Sequence, residues 1–134
     1  MILPKKVVIE INKGILTEWL EENPKSFEKI SVNEEELTKI LNDAEKQESE
    51  ILQASYLMAA ISWAQPFGGG NKRTAFVCAD TFLRMNGFKL EVKDTKDIDY
   101  LIKLLFEIQE ERAQLNPEGM AKIVLYVSKR IGKI

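Results

Sequence analysis

The sequence contains no histidine. That absence removes Ser-His and Cys-His nucleophilic pairs, histidine general bases and histidine-built metal centres together. Cysteine is nearly absent as well. Cys78 stands alone, so no internal disulfide forms, and its place inside an apolar run reads as a small buried thiol rather than a nucleophile. No uncharged run is long enough to span a bilayer and no signal peptide is visible, so the expectation is a cytoplasmic chain with no membrane partner. An excess of one charge is also missing. The 19 Lys and Arg face 21 Asp and Glu, a formal net charge of −2, which leaves no bulk electrostatic case for nucleic acid or an anionic membrane. What is present, 134 residues with 45% hydrophobic content, suits a single domain over 1–134 with a real core. No repeat, low-complexity tract or dividing linker interrupts it.

Most of the chain has helical spacing. The β-branched run Val7-Val8-Ile9-Glu10-Ile11 predicts a short edge strand, broken by Asn12-Lys13-Gly14. Ile15, Leu16, Trp19 and Leu20 then predict a helix that stops near Asn23-Pro24, and residues 25–32 read as a connection. Ser31 or Asn33 can cap the next helix, whose first turn holds Glu34, Glu35 and Glu36 and whose inner face is Leu37, Ile40, Leu41 and Ala44. The acids from Glu34 to Glu50, including Asp43, Glu45 and Glu48, form a solvated face and not a metal site. Helices apolar around most of their circumference follow over Ile51–Ala64 and Asn71–Met85, which places both in the core. Gly87 caps the second, and Phe88 to Val92 alternates like a strand. A helix carrying Ile98, Leu101, Ile102, Leu104, Leu105 and Ile108 comes next. Asn116-Pro117 opens a last one with Ile123, Val124, Val127 and Ile131 inside and Lys129, Arg130 and Lys133 at its end. Asp80 and Arg84 sit four apart, as a helix-surface pair does.

The chain is organised around the join between its two central helices, Gln65-Pro66-Phe67-Gly68-Gly69-Gly70-Asn71-Lys72-Arg73-Thr74-Ala75. Glycines let a backbone approach a ligand closely and turn N–H groups towards it, and a helix mouth adds free N–H groups and the positive end of the dipole. Asn71 or Gly70 can cap that helix. Lys72 and Arg73 in its first turn oppose the dipole, by about 0.3–1 kcal/mol each. A strong anion, phosphate first of all, would satisfy both cations and the free amides. The alternative is that both side chains swing away to acids elsewhere.

This stretch resembles the Fic/Doc family, whose pattern is roughly His-x-Phe-x-(Asp/Glu)-Gly-Asn-Gly-Arg between two buried helices. It is closest to the Doc, or death-on-curing, branch, which carries Asn-Lys-Arg-Thr-Ala. The segment Phe82-Leu83-Arg84-Met85-Asn86-Gly87-Phe88 looks like the Doc continuation, and the likeness spans about Ile40 to Val92. The resemblance implies a mainly α fold, a helical bundle whose two central buried helices are joined by the glycine loop, with short strands beside it. It implies ATP or another nucleotide as the bound cofactor, and transfer of AMP, or in Doc of phosphate, to a hydroxyl of a protein target. It also implies an antitoxin partner, and homo-oligomers remain open. Phe67 would anchor the loop, while Gly68, Gly69, Gly70, Asn71, Lys72 and Arg73 would hold phosphate oxygens.

The departures from the pattern bear on catalysis. Gln65 stands in the slot of the family's general base, and an amide is neither acid nor base at working pH. Gly69 stands where the family's magnesium-binding acid falls, which puts the metal in doubt, and Phe76 replaces a final arginine of the AMP-transferring branch. The catalytic set is thus Gln65 as an incompetent occupant, with Lys72 and Arg73, and no metal ligand is assigned. The family's inhibitory segment pairs Ser or Thr with Glu four residues on, then Gly or Asn; Thr17 and Glu21 come near, with Glu22 last. Three functions follow in order: a nucleotide-binding pseudoenzyme, a working Doc-type kinase or nucleotidyltransferase with an acid from elsewhere as base, and a non-catalytic module binding protein through an acidic helix or the Val7–Ile11 edge.

Overall fold

A computed structural model describes residues 2–111 and 113–134. Its elements run α1 (Lys5–Glu22), α2 (Glu34–Glu45), α3 (Glu50–Ala64), α4 (Asn71–Met85), β1 (Phe88–Leu90), α5 (Thr95–Glu110), α6 (Pro117–Arg130) and β2 (Ile131–Lys133). The fold is mainly helical with a two-stranded antiparallel ribbon, in the register Phe88↔Lys133, Lys89↔Gly132, Leu90↔Ile131. Among the described residues no helix is long and apolar enough to cross a membrane.

Helix α3 is the axle, as its all-round apolar surface requires. Ala54, Leu57, Met58, Ala59, Ala60 and Ile61 are buried, and α2, α4, α5 and α6 all pack on it. Helix α4 lies alongside with Ala75, Cys78, Ala79, Phe82 and Leu83 inside. Burial pushes the Cys78 thiol up to about 12, so it stays protonated and inert. The caps are local chemistry. Asn33 accepts from Glu36 N–H at 3.1 Å, Ser49 from Leu52 N–H at 3.2 Å, Asp94 from Asp97 N–H at 3.0 Å and Asn116 from Glu118 N–H at 2.9 Å.

The N-terminal expectation is overturned. Val7 to Ile11 is not an edge strand but part of the first two turns of α1, which runs unbroken through Asn12, Lys13 and Gly14. The β-branched residues lost to a tertiary stripe: Val8, Asn12 and Leu16, four apart, are the buried residues of this helix. With no strand there, the edge proposed for protein binding does not exist. The last helix also ends earlier than its apolar pattern suggested. Ile131 and Lys133 belong to β2, where Ile131 pairs with Leu90, and only Lys129 and Arg130 remain in the last turn. Tyr126, which the sequence reading passed over, is buried beside Ile123 and Val127.

Candidate functional site: the loop between α3 and α4

The loop begins with strain. Gln65 caps α3 in the left-handed region, at φ 50° and ψ 60°, and donates its N–H to Ile61 O at 3.0 Å. Such a conformation costs a residue with a Cβ about 1 kcal/mol, and Gln65 is the one non-glycine with positive φ among the described residues. Gln65 is one of the residues lining the cavity at this loop. Phe67 is buried and anchors the loop, bridged antiparallel to Val32. The Asn71 side chain closes a ring on it, accepting from Phe67 N–H and donating to Phe67 O, both at 3.1 Å. The Asn71 side-chain amide is therefore committed to holding the loop's shape. From α1, Asn12 donates to Gly69 O and to Thr74 Oγ1, both at 2.9 Å, which ties the loop to the start of α4.

The first two glycines are explained by a neighbour in the chain. Asn33 N–H donates to Pro66 O at 2.7 Å, Gly68 N–H to Ser31 O at 3.0 Å and Lys29 N–H to Gly68 O at 3.3 Å, so residues 29–33 run stitched along the loop. A Cβ on Gly68 would stand 2.4 Å from Ser31 Oγ and 2.5 Å from the Lys29 carbonyl oxygen; one on Gly69 would stand 2.5 Å from Glu28 Cβ. Gly70 is different: it caps α4 at φ 65°, offering no side chain to the helix mouth.

At that mouth the chain supplies its own anion. Glu28 Oε1 accepts from Gly70 N–H at 2.8 Å and from Arg73 Nη2 at 3.2 Å. The Arg73 guanidinium stands over the Trp19 ring, 4.7 Å from its centroid. Lys72 reaches across to α5, where it donates to Gln109 Oε1 and sits 4.3 Å from the Phe106 centroid. Burial pulls the Lys72 ammonium below the ordinary lysine range, and the Glu28 carboxylate opposes that pull. Among the described residues, the N–H groups of Gly69, Asn71, Lys72 and Arg73 find no acceptor. Together these groups line a cavity of about 330 Å³ with Glu28 at its edge.

The arrangement can hold a compact anion by backbone N–H groups, one planar guanidinium and one partly desolvated ammonium. A base is not available from Gln65, and the carboxylate at the loop is Glu28. Among the described residues no group of three acids or thiols converges as a metal site. Glu28, Asn12, Trp19, Phe106 and Gln109 are the contributors that sequence reasoning missed. Asn12 alone carried a signal, as a polar residue inside the apolar stripe of α1. The acid that meets Arg73 is Glu28, while the hydroxyl of Thr17, noted with Glu21 as near the family's inhibitory pattern, donates within its own helix to Lys13 O at 2.7 Å.

A family model described as Fic/DOC matches residues 5–83, more than half of the chain. The chain belongs to the Fic/DOC family. The match reaches back through α1, well before the Ile40 at which the motif likeness began, and so takes in Asn12, Trp19 and Glu28. No curated protein and no solved structure matches.

Proposed function

We propose that this domain binds a phosphate-bearing ligand at the mouth of α4, in competition with its own Glu28, and transfers little or nothing from it. The observation that carries the reading is the position of the Glu28 carboxylate. One oxygen takes both the Gly70 N–H and the Arg73 guanidinium. The chain thus places an anion where a guest phosphate would sit, and a dianionic phosphate has more charge and more acceptor oxygens for the remaining amides. Glu28 and Arg73 are respectively 30% and 43% exposed, so the pair is wet enough to exchange.

Weak transfer follows from Gln65. Without a positioned base, loss in rate is on the order of 10²–10⁴. The nucleotide, the Doc-branch assignment, a target protein and a restraining antitoxin are carried by the family resemblance of Gly70-Asn71-Lys72-Arg73-Thr74-Ala75 and belong to the proposal alone.

A second reading has an observation of its own. Glu28 is a carboxylate delivered to the loop by another element, so an attacking hydroxyl would find an acceptor for its proton there. Glu28→Gln separates the two. Labelled ATP incubated with lysate and the full chain should give no labelled band above background, while pyrophosphate binding by calorimetry should tighten in Glu28→Gln and vanish in Arg73→Ala. Transfer in the parent that Glu28→Gln abolishes would establish the second reading. Pyrophosphate binding indifferent to Arg73 would remove both.

A further inference from the structure

A second concavity opens on the same two cations. Helices α4 and α5 both pack on α3 but not closely on one another. The gap between them is a groove of about 420 Å³, within the range of about 300–1,000 Å³ common for small-ligand sites. Phe76 and Val77 form one wall, Ile98, Ile102 and Leu105 the other, and Val92 closes the far end. Val77, Ile98 and Ile102 are 37%, 47% and 42% exposed, which is unusual for three neighbouring aliphatic residues that share one depression. Its accessible wall is carbon throughout.

Lys72 and Arg73 line this groove as well as the anion cavity. They line the groove with the carbons of their stems, while the Arg73 guanidinium stands at Trp19 and Glu28 and the Lys72 ammonium at Gln109 and Phe106. A molecule whose charged head sits in the anion cavity, with Gly70, Lys72 and Arg73, would meet only hydrocarbon once its body crosses the two stems into the groove. That pairing of charge with apolar length selects a ligand class. A nucleobase in the groove would give up its hydrogen bonds to water and find no donor or acceptor in return. A hydrocarbon body has nothing to lose there and gains by burial.

We infer that the ligand of this loop is an amphiphilic anion: a phosphate head between the Gly70 N–H, Lys72 and Arg73, with an alkyl or acyl body in the α4–α5 groove. The inference rests on the anion reading of the loop and adds the nature of the body. Each methylene that enters the groove tightens binding by up to about fourfold.

The test is calorimetry on the full chain with methyl, butyl and octyl phosphate below their aggregation limits, with octanol and AMP alongside. Methyl phosphate alone measures the loop. Affinity should climb from methyl to octyl by on the order of a hundredfold or more, as several methylenes are buried. Val77→Asn and Ile102→Asn, both at exposed positions, should flatten that climb, and Arg73→Ala should weaken every phosphate. Equal binding of methyl and octyl phosphate overturns the inference while leaving the loop reading intact. Octanol binding as tightly as octyl phosphate overturns it as simple apolar adsorption. AMP binding more tightly than octyl phosphate, and losing that advantage in Ile102→Asn, overturns it in favour of a base in the groove. No binding of any phosphate removes the loop reading itself.

Discussion

Arg73 and Arg130 are built into the same three-part arrangement, an arginine between a carboxylate and an aromatic face, and behave differently. Arg130 sits 3.7 Å from the Tyr126 centroid and grips Asp97 with two nitrogens, its Nε at 2.8 Å. Asp97 also accepts from Lys93 N–H at 3.2 Å, and the pair is 16% and 10% exposed. Arg73 sits 4.7 Å from Trp19 and reaches one oxygen of Glu28 at 3.2 Å, with 43% and 30% exposure. Around Arg130 every acceptor is accounted for by groups that also close the fold, joining α5 to the last turn of α6. Around Arg73 the acceptor is a residue of a connecting segment, shared with one helix N–H while its neighbours stay free. Identical chemistry is a fastening where it is dry and doubly bonded, and a placeholder where it is wet and singly bonded.

The largest effect separating the two is on stability. Arg130→Met or Asp97→Asn should give the greatest fall in thermal midpoint, because each leaves a nearly buried partner unmatched. The Arg130 guanidinium bonded to Asp97 holds its carboxyl down at about 2, against about 3.9 for an unperturbed aspartate. A carboxyl depressed in the folded state stabilises above its unfolded value and loses that contribution as pH falls through the folded one. The gap between the parent and Asp97→Asn, followed by circular dichroism, should therefore be full above about pH 5, shrink through about pH 4 to 2 and close by about pH 1. A gap that stays constant through that window contradicts the fastening.

Next in size is the stitching that brings Glu28 to the loop. Gly68→Ala drives a Cβ to 2.5 Å from the Lys29 carbonyl oxygen, which is backbone and cannot swing aside. Urea unfolding should show a loss of about 1–3 kcal/mol. An unchanged midpoint would mean that residues 29–33 are not held against the loop in solution. Glu28→Gln comes third: stability should change by less than about 1 kcal/mol, as for an exposed pair, while pyrophosphate affinity rises about five- to tenfold. A stability loss rivalling that of Asp97→Asn would make the Arg73 pair a second fastening and erase the contrast. Smallest is Gln65→Gly, which relieves the left-handed strain and should raise stability by about 1 kcal/mol if the Gln65 side chain supports nothing.

The two regions were not equally legible. Helix α3 follows from its own residues, because an all-round apolar helix has one place to go, and Pro66 with the glycines has one way to interrupt it; α4, read as equally apolar, instead buries one face and exposes Arg73, Val77, Arg84 and Met85. The cap residues Asn33 and Asn116 were equally local. Hidden from a linear reading was whatever depends on distant chain. The Val7–Ile11 run has strand composition, and only the packing of Val8, Asn12 and Leu16 against α4 and the core makes it helical. Glu28 lies 42 residues before Gly70 in a stretch without periodicity, so nothing in the sequence aims its carboxylate at the helix mouth. The glycines were read as room for a ligand. Gly68 and Gly69 also make room for residues 28–31, a close approach that the linear reading did not see.

The central claim is that Glu28 occupies an exchangeable anion position. The Gly70 amide, which now donates to Glu28 at 2.8 Å, reports on it most directly. Its proton and nitrogen shifts should be followed by NMR while inorganic phosphate is titrated, at constant ionic strength, into the parent and Glu28→Gln. The expected result is a saturable shift of the Gly70 resonance in both, at a phosphate concentration about five- to tenfold lower in Glu28→Gln. A Gly70 resonance that ignores phosphate even after the carboxylate is gone would contradict the account.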